Sequence, residues 1–272
     1  MGAKYTIEEL LTIHLAHTFK DGEVGFTGLA TGSAAAKYIT AIPLAAMQFA
    51  KKTHAPNLTV LLAGWIINPK LELLKELPDS EFDDSLLDLP CEAHMREYPG
   101  QWSHKRGDVS FGFGSGVQID RYGNINSVCV GNPDKPKVWL VGSILLPEHM
   151  SKFGREYIMM PHHEARNFVE NVDYISGVGY PGGVEGRKEL GLEWGGPEYV
   201  YTPKCIFKFN KETGKIYVDS IHPGVTPEDV QANTGIDLGD LSSVKTTPEP
   251  TQEELDILRN VVDPNGILIS RA

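Results

Sequence analysis

Histidine and carboxylate side chains are the first groups of this sequence that could do chemistry. His162, His163 and Glu164 stand side by side, and these residue types can hold a metal ion. Adjacent residues of a strand point to opposite faces, however, and no second cluster of ligands accompanies them. We therefore expect a hydrogen-bonded structural pair at this position and no metal site. His222, which precedes Pro223, is predicted to be a hydrogen-bonding loop residue and not a base.

The cysteines are a second group of reactive side chains. Cys91, Cys129 and Cys205 lie far apart and show no C-x-x-C spacing, which argues against a disulfide framework and a structural zinc site. Cys129 is expected to be a small buried hydrophobe. The sequence has no G-x-S-x-G motif, so a serine hydrolase of the usual α/β kind is not predicted.

A glycine-rich corner, "GFGSG" at Gly112 to Gly116, follows a probable strand. It lacks the G-x-G-x-x-G spacing and no helix opens directly after it, so a nicotinamide site is not predicted. Glycine nevertheless lets a ligand approach backbone N–H groups closely, and ligands of open α/β sheets bind at strand ends.

The elements that must position these groups alternate between strands and helices. This pattern predicts a mostly parallel α/β sheet, with residues 1–272 forming a single domain. Capping and periodicity predict helices over Thr6 to Lys20 and Pro43 to Lys52, and helices capped by Thr226 and Thr251. Strands are predicted at "NLTVLLAG", "YIMMP" and "VDYIS", together with a hairpin over Cys205 to Ile221.

Composition and charge narrow the functional class. The chain has 272 residues, 41% of them hydrophobic, and a net charge of −11. This negative field disfavours nucleic acid and anionic membrane surfaces as partners. There is no apolar run of about 18 residues that would cross a membrane. The amphipathic start does not resemble a secretory signal, so we expect a cytoplasmic protein.

A more specific signal is "GVQIDRYGNINS" at Gly116 to Ser127, which closely resembles a motif of the family I CoA-transferases. The resemblance is greatest to the beta subunit of glutaconate CoA-transferase. It continues in order through "YIMMPHHEARNFVENVDYIS" and "HPGVTPEDVQANTGIDL" to the terminal "EELDILRNVVDPNG". It covers nearly the whole chain apart from the segment Gly32 to Ile39. We identify the chain as a member of this family.

The resemblance implies a three-layer αβα fold with a mostly parallel sheet, shared with ribose-phosphate isomerase-like proteins. It implies an alpha subunit as partner, usually in an α2β2 assembly with the active site at the subunit interface. No cofactor is built in, and a coenzyme A thioester is the substrate. In the family's transferases a beta-subunit glutamate forms an acyl anhydride and then a glutamyl-CoA thioester, which is covalent catalysis by a carboxylate.

The sequence departs from the family at the position of that glutamate. Aligned without a gap on "APN", which begins at Ala55, the position is occupied by Ala63; a shift of one residue gives Leu62 or Gly64. The family's Gly-Ser-Gly-Gly-Ala loop reads "VGSILLPEH" here, so that Ile144 and Leu145 replace the glycine pair. The catalytic residue is therefore unknown.

The resemblance still assigns substrate-binding residues. Gly142 and Ser143 would donate hydrogen bonds to the thioester oxygen, and the acid or base would come from the partner subunit. The remaining residues predicted to line the site are Gly64, Trp65, Gly114, Ser115, Gly116, Gln118 and Asp120.

Three functions remain open. The first is altered acyl-CoA chemistry: hydrolytic ring or C–C cleavage, thioester hydrolysis, or decarboxylation. The family's decarboxylase branch carries cysteine where Ala63 stands, and its steroid ring-opening branch takes the acid from the alpha subunit. Trp65, Ile66 and Ile67 suit a roomy acyl pocket, or else they fill the core. The alternatives are a non-catalytic CoA-binding subunit and an ordinary transferase with a displaced nucleophile, Glu72 or Glu148.

Overall fold

The computed structural model describes residues 4–30, 33–81, 83–94 and 106–272. The chain forms two compact units, the first comprising Met1–Phe113 and Pro248–Ala272 and the second comprising Gly114–Thr247. Among the described residues, every helix is too short or too polar to span a membrane.

The strands and helices are short, and their bounds are as follows. The strands in chain order are β1 Val24–Thr27, β2 Thr59–Leu62, β3 Ile66–Ile67, β4 Ala93–His94, β5 Gly112–Gly114, β6 Gln118–Asp120, β7 Ile125–Asn126, β8 Cys129–Val130, β9 Val138–Trp139, β10 Glu156–Met159, β11 Phe168–Val169, β12 Pro197–Tyr201, β13 Cys205–Phe209, β14 Ile216–Ile221 and β15 Lys245–Thr246. The α-helices are α1 Ile7–Ala16, α2 Ser33–Ala35, α3 Ile42–Thr53, α4 Ser85–Asp88, α5 Leu146–Lys152, α6 Val184–Glu189, α7 Pro227–Ala232 and α8 Gln252–Ile257.

In the first unit, β1 and β2 form a parallel pair whose register runs from Val24 opposite Thr59 to Thr27 opposite Leu62. β3 and β4 extend this sheet with antiparallel pairs. The apolar residues of β2 are buried, as its continuous hydrophobic run predicted. The carboxyl ends of β1 and β2 therefore lie side by side at one edge of the sheet.

Helix α1 begins where the sequence predicted. The Thr6 hydroxyl accepts a hydrogen bond from the Glu9 N–H at 3.2 Å, and Glu9 accepts one from the Thr6 N–H at 2.8 Å. This reciprocal pair is a capping box. The helix ends at Ala16, before the predicted Lys20.

The start predicted for the second helix, Pro43, is wrong. The chain is helical from Ser33, through a π-helical turn at Ala36–Ala41, into α3. The proline is accommodated because it lacks an N–H and its position follows the wider π turn. The carbonyl of Ile39, four residues before Pro43, instead accepts a hydrogen bond from the Thr27 hydroxyl at 2.6 Å. In the segment that the family resemblance does not cover, Gly32 to Ile39, the structure does not describe Gly32.

In the second unit, five strands form a sheet in the order β15-β14-β13-β12-β10. The outer pairs, β14–β15 and β10–β12, are parallel, and the two inner pairs are antiparallel. The predicted hairpin is β13 and β14, and "YIMMP" overlaps β10, so both predictions are confirmed. The prediction of a strand at "VDYIS" is wrong, because this segment has no ladder partners except at its end, where Ser176 donates its N–H to the Ile125 carbonyl.

Candidate functional site

Ala63 is the first residue after β2, and it occupies an unusual backbone conformation. Its N–H continues the parallel ladder by donating to the Thr27 carbonyl at 2.9 Å. Its φ is +54°, and Gly64 follows with φ +75°. A left-handed conformation costs a residue that has a Cβ about 1–2 kcal/mol. The position predicted to correspond to the family's glutamate is therefore a strained corner, which is a feature common at functional sites.

The residues after this corner are fixed by side-chain contacts. Asn68, with φ +47°, accepts hydrogen bonds from the Val60 N–H at 2.9 Å and the Lys51 ammonium at 3.2 Å. The Trp65 ring meets His94 edge-on at 5.6 Å between centroids. Ile66 is fully buried and therefore fills the core. Of the three residues predicted to suit an acyl pocket, Trp65 and Ile67 remain candidates.

A carboxylate that the sequence did not single out lies at the same sheet edge as Ala63. Glu81 Oε1 accepts a hydrogen bond from the Leu29 N–H at 3.2 Å, and it is 3.4 Å from the place where a Cβ on Gly28 would stand. Gly28 directly follows Thr27, and the Thr27 carbonyl accepts a hydrogen bond from the Ala63 N–H at 2.9 Å, so Glu81 and Ala63 both lie where the parallel pair of strands ends. In the sequence Glu81 belongs to the acidic stretch "DSEFDDSLLD", and only its tertiary contact distinguishes it from its neighbours.

The two carboxylates predicted as displaced nucleophiles lie elsewhere. Glu72 is in a short 3₁₀ turn, Leu71–Leu73, and its Oε2 is buried with no hydrogen-bond partner among the described residues. Glu148 is in the first turn of α5, within the second unit. A role of Glu72 or Glu148 as a displaced nucleophile stays a prediction.

The glycine corner of the second unit is sterically required. A Cβ on Gly114 would stand 2.6 Å from Leu146 Cδ1 and 2.7 Å from Glu156 Oε1. A Cβ on Gly116 would stand 2.5 Å from the carbonyl oxygen of Asn126. Both glycines, with Ser115 between them, therefore allow close packing, whether or not a ligand also approaches here.

Gln118 has both ends of its side-chain amide engaged. Its NH₂ donates to Asp173 at 2.9 Å, and its oxygen accepts from the Asn126 side chain at 2.7 Å and the Asp173 N–H at 3.0 Å. The residue is buried. The structure thus shows Gln118 joining β6 to neighbouring segments, and its contact with substrate stays a prediction.

Asp120 holds the turn that follows β6. Its carboxylate accepts hydrogen bonds from the N–H groups of Tyr122 and Asn124 at 2.9 and 3.0 Å and from the Asn124 side chain at 2.8 Å. Burial raises its pKa, and the hydrogen bonds from Asn124 oppose that shift. This geometry explains the pattern "QIDRYGN", because the aspartate replaces solvent as acceptor for the turn.

The loop that replaces the family's glycine pair keeps a glycine-like backbone. Gly142 has φ +97° and Ile144 has φ +45°, although a β-branched residue with positive φ is a genuine outlier. The Ile144 side chain is 75% exposed. Gly142 already donates its N–H to the Ser127 carbonyl at 2.9 Å, so this bond must open before Gly142 serves a thioester oxygen. The predicted donation therefore depends more on Ser143.

Glu156 and His149 form a second group that the sequence did not reveal. Glu156 Oε1 lies 3.3 Å from His149 Nδ1, and Glu156 is fully buried. Burial raises the pKa of Glu156, while the neighbouring histidine opposes the shift. No local motif marks this pair, because the glutamate is one residue of an otherwise ordinary buried strand.

His163 and His222 are buried and hydrogen-bonded, as expected. His163 is buried and bonded to the hydroxyls of Thr202 at 2.8 Å and Thr234 at 2.9 Å, whereas His162 is exposed. Burial lowers the pKa of His163 to about 3 and that of His222 to about 4, so both are neutral near pH 7. Within the described ranges, no group of three or more His, Cys, Asp or Glu side chains is placed to hold a metal ion.

Residues 104–233 match the family described as Coenzyme A transferase. The chain is 31% identical over 256 residues to the B subunit of 3-oxoadipate CoA-transferase from Pseudomonas knackmussii, covering 94% of this chain and 92% of that protein. It is 30% identical over 271 residues to the B subunit of glutaconate CoA-transferase from Acidaminococcus fermentans, covering 97% and 95%. The chain belongs to the coenzyme A transferase family.

Solved structures confirm the predicted fold class. The crystal structure of glutaconate coenzyme A-transferase from Acidaminococcus fermentans superposes with a TM-score of 0.79 at 28% identity, covering 100% of both chains. The decarboxylase AibA/AibB shares the fold, with a TM-score of 0.76 at 22% identity over 98% of this chain and 99% of that chain. Rhodococcus jostii IpdAB also shares it, with a TM-score of 0.74 at 24% identity over 98% of this chain and 100% of that chain. The cholesterol ring-cleaving hydrolase IpdB subunit of Mycobacterium tuberculosis is 31% identical over 150 residues, 55% of this chain and 59% of that protein.

Proposed function

We propose that this beta subunit acts on an acyl-coenzyme A thioester by hydrolytic chemistry, including C–C cleavage, and not by CoA transfer. The observation that carries the proposal is Ala63. The corner after β2 is present, but a methyl group cannot attack an acyl-CoA or form an anhydride. Removal of a nucleophile costs several powers of ten in rate, so ordinary transfer at this position is not expected.

The proposed chemistry requires a group that accepts a proton from water or substrate. The family resemblance implies that this group comes from the alpha subunit. Glu81 is a second candidate within this chain, because its carboxylate lies at the edge where Ala63 leaves the sheet. A carboxylate there would act as a general base, leaving the thioester or the C–C bond to be cleaved by water.

Family relatives support altered chemistry. One relative is named as a ring-cleaving hydrolase and a structural neighbour as a decarboxylase. Position 63 is not cysteine, the residue expected in the decarboxylase branch, which favours hydrolysis. The substrate is a coenzyme A thioester, with no built-in cofactor. The description of residues 1–272 as one functional domain in the cytoplasm stays part of the proposal.

An alpha subunit is the proposed partner, in an α2β2 assembly. The relatives are named as B subunits, and the neighbouring structures are named as two-chain proteins. This chain also exposes large apolar residues at the end of β9 and directly after it, Trp139 at 67% and Val141 at 76%. Exposed apolar groups in close succession are typical of interaction surfaces.

The test is to copurify this chain with the alpha subunit and follow acyl-CoA substrates by mass spectrometry. We expect hydrolysis or C–C cleavage products and no movement of CoA to an added acceptor acid. Transfer of CoA to the acid at ordinary enzymatic rates would show that the argument from Ala63 is wrong.

A non-catalytic CoA-binding subunit is the second candidate. The engaged N–H of Gly142 favours it, because it weakens one of the predicted oxyanion donors. A complex that binds acyl-CoA but turns over none of a broad thioester panel would support this alternative.

A further inference from the structure

The first unit contains a cavity of about 580 Å³. One wall carries three alanines, Ala30, Ala36 and Ala41, a second carries Leu77 and Pro78, and a third is the segment from Gly266 to Ser270. Its volume is within the range of small-molecule sites, and its lining combines apolar side chains with Lys37, Asp79 and Ser270.

The π-helical turn creates the alanine wall. Ala36 and Ala41 are its first and last residues, and small side chains there leave space that larger ones would fill. Turns of this kind recur at functional sites because they displace side chains from the regular helical positions. The turn lies largely within the segment, Gly32 to Ile39, that the family resemblance does not cover.

The lining segment from Gly266 to Ser270 is held by one carboxylate. Asp263 accepts hydrogen bonds from the N–H groups of Ile267, Leu268 and Ile269 at 2.9, 3.0 and 2.9 Å. One carboxylate thus fixes three consecutive residues, two of which, Leu268 and Ile269, are buried. The cavity is therefore bounded by ordered backbone on this side.

The charges at the cavity favour an uncharged occupant. The Lys37 ammonium is 3.1 Å from Glu8 and 3.2 Å from the Ser270 hydroxyl, so its charge is balanced within the protein. Asp79, which is exposed and lines the cavity, would repel a carboxylate. An apolar group without a terminal acid suits these walls best.

The cavity also lies at the carboxyl end of β1. Ala30 follows this strand by three residues and donates its N–H to the Thr40 hydroxyl in the π turn at 3.1 Å. Ala63 directly follows the neighbouring strand β2, and its N–H donates to the Thr27 carbonyl. Open α/β sheets bind their ligands outside the carboxyl ends of their strands, so this is the expected place for a substrate.

We propose that this cavity binds the apolar body of the acyl group, and that the substrate is an uncharged acyl-CoA of medium to long chain. This inference rests on the proposed function, since it assigns the acyl part of the same thioester. It predicts a preference against acyl groups that end in a carboxylate.

The test measures dissociation constants by calorimetry with the copurified alpha–beta complex. The probes are free CoA and acetyl-, pentanoyl-, glutaryl-, octanoyl- and dodecanoyl-CoA. Affinity should rise from acetyl- to octanoyl-CoA by up to about fourfold for each methylene buried. Glutaryl-CoA should bind more weakly than pentanoyl-CoA, which has the same chain length.

Two leucine substitutions provide the matched comparison. Ala36→Leu fills the cavity and should weaken octanoyl- and dodecanoyl-CoA binding by about tenfold or more, leaving free CoA and acetyl-CoA unchanged. Ala34→Leu places the same side chain at an exposed position of the same helical segment and should change nothing. Leu77→Ala, which enlarges the cavity, should improve binding of dodecanoyl-CoA, and it serves if Ala36→Leu does not fold.

The outcomes separate the two proposals. A complex that binds free CoA and acetyl-CoA without any gain from longer chains, or in which Ala36→Leu and Ala34→Leu behave alike, overturns the cavity assignment alone. A complex that binds neither CoA nor any thioester overturns the proposed function and this inference with it.

Discussion

Oε1 of Glu156 lies 3.3 Å from Nδ1 of His149 and 2.7 Å from the place where a Cβ on Gly114 would stand. The buried pair of Glu156 and His149 therefore packs directly against the glycine corner at Gly114. A carboxyl group with no exposure is costly to ionise, and burial accordingly raises the pKa of Glu156 above 4.5. The corner is thus supported by a group whose charge state depends on pH.

This pair predicts how stability changes with pH. Because the folded state binds the Glu156 proton more tightly than the unfolded state, the free energy of unfolding falls as pH rises above 4.5 towards the folded pKa. Glu156→Gln should remove this loss, which urea titrations over a pH series would measure. Glu148→Gln, in the neighbouring helix α5, is the control and should keep the wild-type slope. An unchanged slope in Glu156→Gln would show that the group is not responsible.

Because Ala63 has a left-handed backbone, replacing alanine by glycine should change the free energy of unfolding in opposite directions at Ala63 and at Ala55. Ala63→Gly should stabilise the protein by about 0.5–1 kcal/mol, because relief of the positive φ exceeds the entropy cost of glycine. Ala55→Gly, at a buried position without positive φ, should destabilise it by about 1 kcal/mol or more. Chemical denaturation measures both, and equal destabilisation would contradict the strain.

The predicted loss of transferase chemistry at Ala63 can be tested by introducing a glutamate at this position. In the complex with the alpha subunit, Ala63→Glu should form a glutamyl-CoA thioester on incubation with acyl-CoA, detected as a mass increase that borohydride prevents. The wild-type complex and the exposed control Ala34→Glu should show no adduct. An adduct on wild-type protein would establish an ordinary transferase with its nucleophile elsewhere.

Ile144 predicts a gain in stability from a substitution at the surface. Ile144→Gly should raise the free energy of unfolding by about 0.5–1 kcal/mol, because the side chain is exposed and its backbone is left-handed. Val141→Gly, equally exposed but without positive φ, should lower it by a similar amount. Thermal unfolding of the two variants distinguishes strain from a general tolerance of glycine in this loop.

Glu81 predicts a specific loss of turnover. Glu81→Gln should reduce the catalytic rate by about 10²–10⁴-fold, with little change in acyl-CoA affinity. Glu76→Gln, an exposed substitution nearby in the sequence, should leave both unchanged. If Glu81→Gln retains full activity, the acid or base belongs to the alpha subunit.

Local sequence was sufficient for some of these features and insufficient for others. The motif "QIDRYGN" indicated both the family resemblance and a turn. Asp120 and the groups it binds lie within four residues of each other, so the motif contains the whole turn. Glu81 meets Leu29 across 52 residues of chain, so no window of sequence contains that contact. The early start of the helix before Pro43 was missed for the same reason, since Thr27 supplies the bond that the proline cannot make.

Thr27 has one further consequence for redesign. Its hydroxyl is bonded to the π turn that forms a cavity wall, and its carbonyl is bonded to Ala63. The two regions therefore share one fixed point, and a substitution that displaces the wall also displaces position 63. Substitutions at Thr27 are therefore expected to disturb the proposed acyl cavity and position 63 together.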